Sequence, residues 1–218
     1  MKRSNVRIAI QKEGRLRNLS LEYFEFLGLR FPKENGRMFV VPCKNADVEI
    51  LYVRHGDVPQ YVQCGAADFA IVGNNILYEK NFKIREVKKL DFGKCSLVIA
   101  VPLVSPLQKI QDLEGERIAT SYPNSLRKFL QKKKINAAII EIGGSVEVTP
   151  ALGLADAICD LVQTGNTLKE NNLKPIKTLF DSVAVLIESP YESRQKYEFI
   201  NRFTYQIGIS RTSASANA

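Results

Sequence analysis

A chain of 218 residues, 45% hydrophobic and 25% charged, carries enough apolar surface for a globular core and is too apolar for a disordered polymer. Lys and Arg total 31 against 23 Asp and Glu, a net charge of +8 that favours anionic partners, but the basic residues are scattered apart from Lys132-Lys133-Lys134 and no aromatic interleaving marks a nucleic-acid groove. Four widely spaced cysteines, a single histidine, no signal-like apolar region after Met1 and no bilayer-length apolar run argue against a zinc site, a disulfide framework and a membrane anchor, and predict a cytoplasmic protein.

In chain order, Val6-Arg7-Ile8-Ala9-Ile10 reads as a strand that ends in the glycine loop Gln11-Lys12-Glu13-Gly14-Arg15. The loop brings Lys12 and Arg15 close together, a pattern that also suits an ordinary solvated turn. Leu21, Phe24 and Leu27 repeat at helical spacing within Leu19 to Leu29, Gly28 is placed to stop that helix, and the stripe reads as a packing face. Asn35-Gly36 signals a hairpin turn, with Arg37 opening the strand Met38 to Val41. Val48 to Val53 is a strand that reaches Arg54-His55-Gly56-Asp57; Asp57 is placed to cap a helix carrying Pro59 in its first turn, and His55 reads as a plain loop residue. Ala66 to Gly73 is a buried strand.

Leu90 to Cys95 reads as a break between lobes, after which Ser96 to Val101 and Arg117 to Thr120 are strands. A helix follows from Pro123 to Lys133, entered through the Thr120-Ser121-Tyr122-Pro123 loop. Ile139 to Ile142 is a strand, and Glu147 stands before a helix expected at Pro150, where it suits either a ribose hydroxyl or the dipole of that helix. Val183 to Ile187 is a strand expected to return the chain to the first lobe. A helix then packs from Tyr197 to Ile209 through Ile200, Phe203 and Ile207, and Thr212 to Ala218 reads as a frayed tail.

Two echoes suggest that one β-α-β layout occurs twice. Arg7-Ile8-Ala9-Ile10 resembles Arg117-Ile118-Ala119-Thr120, and Gly65-Ala66-Ala67-Asp68 resembles Gly153-Leu154-Ala155-Asp156, each leading into an apolar strand. The expected architecture is α/β with two lobes, residues 1–92 plus 180–218 and residues 93–179, closing on a central cleft.

The most informative stretch is residues 145–173, and within it Ala157 to Asn172. A short apolar strand containing Asp160 runs into Thr164-Gly165-Asn166-Thr167 and then a polar helical segment. A strand feeding a glycine turn into a helix start aims N–H groups at one point, which suits a phosphate, and two threonine hydroxyls and an amide add donors. Taken alone, the turn also suits a plain helix cap. Asp160 four residues earlier, with Asp156 at the strand entry, puts carboxylates where sugar hydroxyls or a metal would lie, so a sugar phosphate fits better than bare phosphate.

The run from Gly144 to Leu173 resembles the phosphoribosyl-pyrophosphate signature of ATP phosphoribosyltransferases, the enzymes that open histidine biosynthesis. V-R-x-x-D-V-P-x-Y-V from Val53, G-A-A-D-F-A-I-V-G from Gly65 and the Leu90 to Cys95 element resemble the same family. The resemblance implies a two-lobed fold of the periplasmic-binding-protein (type II) kind and transfer of phosphoribose from phosphoribosyl pyrophosphate to N1 of ATP, with release of pyrophosphate. It further implies that Lys12 and Arg15 meet substrate phosphates, that Arg15 and Arg37 stabilise the departing pyrophosphate, that Arg54 lies at the cleft and that the Tyr122 loop meets the purine. Glu147, Asp156, Asp160, Thr164, Gly165, Asn166 and Thr167 would hold the phosphoribosyl group. Mg²⁺ is expected as cofactor, because pyrophosphate carries dense charge that a hard cation offsets. Adenine N1 is itself the nucleophile, so no covalent intermediate is required. A homodimer is the expected assembly. The length resembles the family's short chains, which work with a histidyl-tRNA-synthetase-like regulatory subunit, whereas Gln11 to Arg15 and Thr120 to Pro123 look more like its long chains; both readings stay open. The rival function on the same architecture is a small-molecule binder or sensor without chemistry.

Overall fold

Two parallel strand trios form the backbone of this chain, one in each of two α/β units. The computed structural model describes residues 5–32 and 38–207. Arg37, the Asn35-Gly36 turn and the tail from Thr212 lie outside them. The first unit takes in Met1–Leu77, Phe82–Gly93 and Val183–Ala218, and the second Tyr78–Asn81 and Lys94–Ser182.

The first unit contains β1 (Val6–Gln11), α1 (Arg15–Phe26), β2 (Val40–Pro42), β3 (Val48–Val53), α2 (Val58–Gln63), β4 (Phe69–Gly73) and the start of α3 (Asn74–Lys80). β5 (Arg85–Lys89), β11 (Ala184–Glu188) and α6 (Arg194–Ile207) complete it, in a sheet ordered β2-β3-β1-β4-β11-β5. The second unit contains β6 (Cys95–Pro102), β7 (Arg117–Thr120), α4 (Pro123–Lys133), β8 (Ala138–Glu141), β9 (Ala157–Val162), α5 (Asn166–Glu170) and β10 (Leu173–Ser182), in a sheet ordered β10-β6-β9-β7-β8.

Apart from the extra edge strand β2, the two orders correspond strand for strand. β3-β1-β4 and β8-β7-β9 are the parallel trios, and an antiparallel strand adjoins each, β11 in one and β6 in the other. The echoes in the sequence acquire a cause here. The Arg7 N–H donates to the Asp68 carboxylate at 2.8 Å and the Asp68 N–H to the Arg7 carbonyl at 2.8 Å; Arg117 and Asp156 repeat both bonds, each at 2.9 Å. The two guanidiniums reach the same turn as well, Arg7 to the Ala66 carbonyl at 3.3 Å and Arg117 to the Gly153 carbonyl at 2.9 Å. Each Asp thus ties the loop before one central strand to the start of its neighbour.

The strands bury runs of β-branched and long apolar residues, as parallel strands covered on both faces do. Ile8, Ile10, Ile50, Tyr52 and Ile71 form the first core with Phe24 from α1, and each large side chain removed from water contributes roughly 1.5–3 kcal/mol. Ala119, Ile158, Leu168 and Val146 are part of the smaller second core.

Several elements differ from the reading of the sequence. α1 starts at Arg15, one full turn before Leu19, because Gly14 adopts φ +92° and lets the loop enter the helix directly. Asp57 stands at the N-cap of α2 as expected, but its side chain makes no capping bond. Pro150 opens no helix; a 3-10 turn at Val146–Val148 and irregular turns fill the segment. β5 and β10 escaped notice because both are edge strands. β5 is Arg-Glu-Val-Lys-Lys with no fully buried position, and bulges after Pro175 and Thr178 break the alternation of β10.

Within the second unit, Tyr78–Asn81 is held at Glu79 and at Tyr78. The Glu79 carboxylate accepts the N–H groups of Asn124 and Ser125, both at 2.8 Å, and the Tyr78 ring meets Phe180 edge-on at 5.3 Å. Glu79 is buried and occupies the N-terminus of α4.

Candidate active site

Loops after parallel strands emerge at one edge of a sheet, so the residues following β9 and β7, or β1 and β3, are grouped by topology. In the second unit a pocket of about 280 Å³ opens at the end of β9, lined by Glu147, Asp160, Thr164, Gly165 and Thr167 together with Gln163. Gly165 stands at φ +80°, a turn conformation that β-carbon-bearing residues seldom adopt, and its carbonyl closes the first turn of α5 by accepting the Lys169 N–H at 3.2 Å. The pocket joins hydroxyl donors and carboxylates on one surface, the combination a phosphorylated sugar needs.

Asp160 is the electrostatic centre of this pocket. Burial pushes its carboxyl above the ordinary range and the nearby Glu147 carboxylate adds to the rise, against a 2.7 Å bond from the Leu161 N–H that favours the charge. Sugar hydroxyls, as donors, would supply what two neighbouring carboxylates lack. Cys159, just before it, is fully buried, and that burial raises its thiol far from thiolate chemistry.

Asp156 does not join this group. It lies at the opposite end of β9, where both carboxylate oxygens are engaged by the Arg117 guanidinium at 2.8 and 2.9 Å; Arg117 holds its carboxyl down to about 2. The sequence placed it at the sugar from its position at the entry to the strand that carries Asp160 and from the resemblance, but the extended backbone of β9 carries the two apart. Asn166 opens α5 and Tyr122 is buried to 8% exposure; neither lines the pocket. With Glu79 on the α4 N-terminus, that helix start is already matched by an internal carboxylate.

In the first unit a second pocket, of about 630 Å³, is lined by Lys12, Glu13, Arg54, His55 and Asp57. Parallel pairing of β1 with β3 runs to Gln11 opposite Val53, and the Lys12 N–H then donates to the Val53 carbonyl at 2.7 Å. That bond brings the Lys12 loop against Arg54 and His55. The Lys12 ammonium also sits 5.4 Å from the centre of the Phe39 ring and 3.7 Å from Glu13. Arg15 is exposed at the first position of α1 and is not part of the lining. His55, read from the sequence as a plain loop residue, shares the pocket; the signal was its place beside Arg54 at a strand end, which matters only once β3 is known to lie next to β1.

The Gln11 side-chain amide donates to the Glu13 carbonyl and so spans this loop. A β-carbon on Gly14 would stand 2.7 Å from the same amide nitrogen, the end of a flexible side chain that can swing aside, so it is the φ of +92° that requires glycine there. Among the described residues no group of three or more His, Cys, Asp or Glu is arranged to hold a metal ion, and no helix is long and apolar enough to cross a membrane.

Comparison with known proteins agrees with this geometry. The alkanesulfonate-binding protein of Xanthomonas axonopodis pv. citri shares the fold, with a TM-score of 0.58 at 18% identity over 94% of this chain and 70% of that one. An ATP phosphoribosyl transferase (HisG:HisZ) complex from Thermotoga maritima is closer, at TM-score 0.78 and 31% identity over 93% of this chain and 96% of the other. The ATP phosphoribosyltransferase of Cytophaga hutchinsonii is 42% identical over 202 residues, which make up 93% of this chain and 70% of the relative. Residues 54–208 match the family described as HisG: ATP phosphoribosyltransferase. By fold, sequence identity and this match, the chain belongs to the ATP phosphoribosyltransferase family, the pentosyltransferases of histidine biosynthesis.

Proposed function

We propose that the two pockets divide the substrates of the family reaction, phosphoribosyl transfer to N1 of ATP, by chemistry. The pocket after β9 takes the phosphoribosyl group: Glu147 and Asp160 accept ribose hydroxyls, while Thr164, Gly165 and Thr167 donate to the 5′-phosphate. Lys12, Arg54 and His55 attract polyphosphate in the other pocket, and Arg15 offsets charge on the leaving pyrophosphate, with Arg37 as its expected companion. The loop at Tyr122 contributes to the purine seat through its backbone, since the ring is buried. The observation that carries this reading is the pairing of Glu147 and Asp160 with the Thr164 to Thr167 turn on one pocket wall.

Adenine N1 attacks the anomeric carbon of phosphoribosyl pyrophosphate, the bond to pyrophosphate breaks, and its electron pair leaves on pyrophosphate oxygen. The protein's tasks are alignment of the reacting atoms and stabilisation of the charge that develops on the leaving group. Mg²⁺ is the proposed cofactor. Glu147 and Asp160 are two carboxylates without a third, a set that fits a cation carried mainly by substrate phosphates and water and not by a protein cage. When bound, the ion neutralises pyrophosphate.

A homodimer, residence in the cytoplasm and a regulatory subunit of the kind present in the Thermotoga maritima complex belong to the same proposal. The shared fold also serves proteins that bind without chemistry, and the test must separate the two. The purified chain is mixed with ATP, phosphoribosyl pyrophosphate and Mg²⁺, with pyrophosphatase present, and near-ultraviolet absorbance is followed. A rise that requires all three reactants supports the enzyme. If there is no rise although calorimetry detects phosphoribosyl pyrophosphate, the assay is repeated with a regulatory subunit; no rise even then, or no binding at all, favours a binder.

A further inference from the structure

Among the buried hydroxyls that the roles above leave unused, one stands beside the pocket. Thr120, the last residue of β7, has 0% exposure. Its Oγ1 donates to the Cys159 carbonyl at 2.6 Å and accepts the Tyr122 N–H at 2.9 Å, and its own carbonyl accepts the Ile142 N–H at 3.0 Å. Two segments meet on this side chain, the strand end that continues into Asp160 and the Tyr122 loop, and a third, the chain leaving β8 toward Glu147, bonds the backbone carbonyl of the same residue.

The sheet explains why a side chain is needed at this point. Pairing of β7 with β9 stops at Thr120 opposite Cys159, whereas β9 stays paired with β6 as far as Val162. Beyond Cys159 the β7 side of β9 therefore has no ladder partner from β7. Asp160 is the first residue past that point and it lines the pocket. Without a hydroxyl bridge the divergence of the strands would begin at the residue whose carboxylate must be placed. The neighbouring Ser121 repeats the device one step on, donating from Oγ to the Ile142 carbonyl at 2.6 Å.

We propose that Thr120 is a positioning residue for phosphoribosyl transfer, its hydroxyl fixing the placement of Asp160 relative to the Tyr122 loop. The inference rests on the functional reading given above. It distinguishes the hydroxyl from the methyl: valine keeps the shape and loses both bonds, whereas serine keeps both bonds and loses only a methyl group.

The test compares T120V and T120S with the parent chain by kcat, by calorimetric Kd for phosphoribosyl pyrophosphate and by hydrogen exchange at the Tyr122 amide. Misplaced reacting groups cost rate more than affinity, so T120V is expected to lose roughly 10–100-fold in kcat with Kd within about 5-fold, and T120S to stay within about 3-fold of the parent. Tyr122 exchange should quicken in T120V alone. Parental kcat in T120V overturns the proposal, as does a T120S that falls as far as T120V, which would make the contribution one of packing. If T120V does not fold, Thr120→Ala, which also removes both bonds, takes its place under the same criteria. A parent chain that yields no product with both substrates and Mg²⁺ even when a regulatory subunit is added, or that does not bind phosphoribosyl pyrophosphate, defeats the functional reading instead; unchanged Tyr122 protection in T120V would then overturn the role of Thr120 on its own.

Discussion

At the scale of single residues, Asp160 sets stability against function. Burial and Glu147 raise its folded pKa, so the charged form is disfavoured in the native state. The associated stability is present at low pH, where the carboxyl is protonated, and is lost as pH rises through the folded pKa. Asp160→Asn is therefore expected to raise Tm at neutral pH, by an amount that shrinks toward pH 4, while phosphoribosyl pyrophosphate binding falls roughly 10–100-fold through loss of a charge-assisted acceptor. Thermal melts across pH and calorimetry check the two halves; a lower neutral Tm would contradict the electrostatic account. Gly14→Ala places a β-carbon at a φ of +92° and against the Gln11 amide. A cost of about 1–3 kcal/mol in denaturant melts is expected, with raised KM for ATP because Lys12 shares the loop. Of the residues named from sequence, Asp160 and the threonine turn could be grouped in one pocket because strand, turn and helix start are contiguous. Asp156 was misplaced for the converse reason: proximity in sequence is distance along an extended strand.

At the scale of elements, the Asp-to-strand clamp is the recurring device. Asp156, held at about 2 by Arg117, contributes stability above its ordinary value of 3.8 and loses it as pH falls toward 2. Asp156→Asn should thus lower Tm at neutral pH and flatten the acid limb between about 4 and 2, with the KM for phosphoribosyl pyrophosphate unchanged within about 2-fold. A tenfold rise in that KM would return Asp156 to the sugar site. Elements with clear burial patterns, such as β1, β3, β9 and α4, could be read directly. β5 and β10 could not, because an edge strand needs no apolar alternation on its open side and bulges erase the period of two. The helix expected at Pro150 failed because a proline compatible with a first turn does not supply the hydrogen bonds of a second.

At the scale of the whole molecule, the net charge of +8 matches a reaction in which both substrates are polyanions. Their KM values should rise about 2–5-fold when monovalent salt goes from 50 to 300 mM, as screening shortens the range of Lys12 and Arg54. Removing Mg²⁺ with EDTA is expected to abolish turnover, and adding the ion back to restore it; full activity in EDTA would exclude it as cofactor.

The sequence by itself determined the fold class, the family and the strand-turn-helix form of the Thr164 to Thr167 segment, since each is written in contiguous residues whose backbone geometry follows from local chemistry. Only the tertiary structure decided which charged side chains share a pocket, because the contacts that separate Asp156 from Asp160, bring His55 to Lys12 and set Thr120 under both Cys159 and Tyr122 depend on strand register, and register is fixed by pairing across tens of residues.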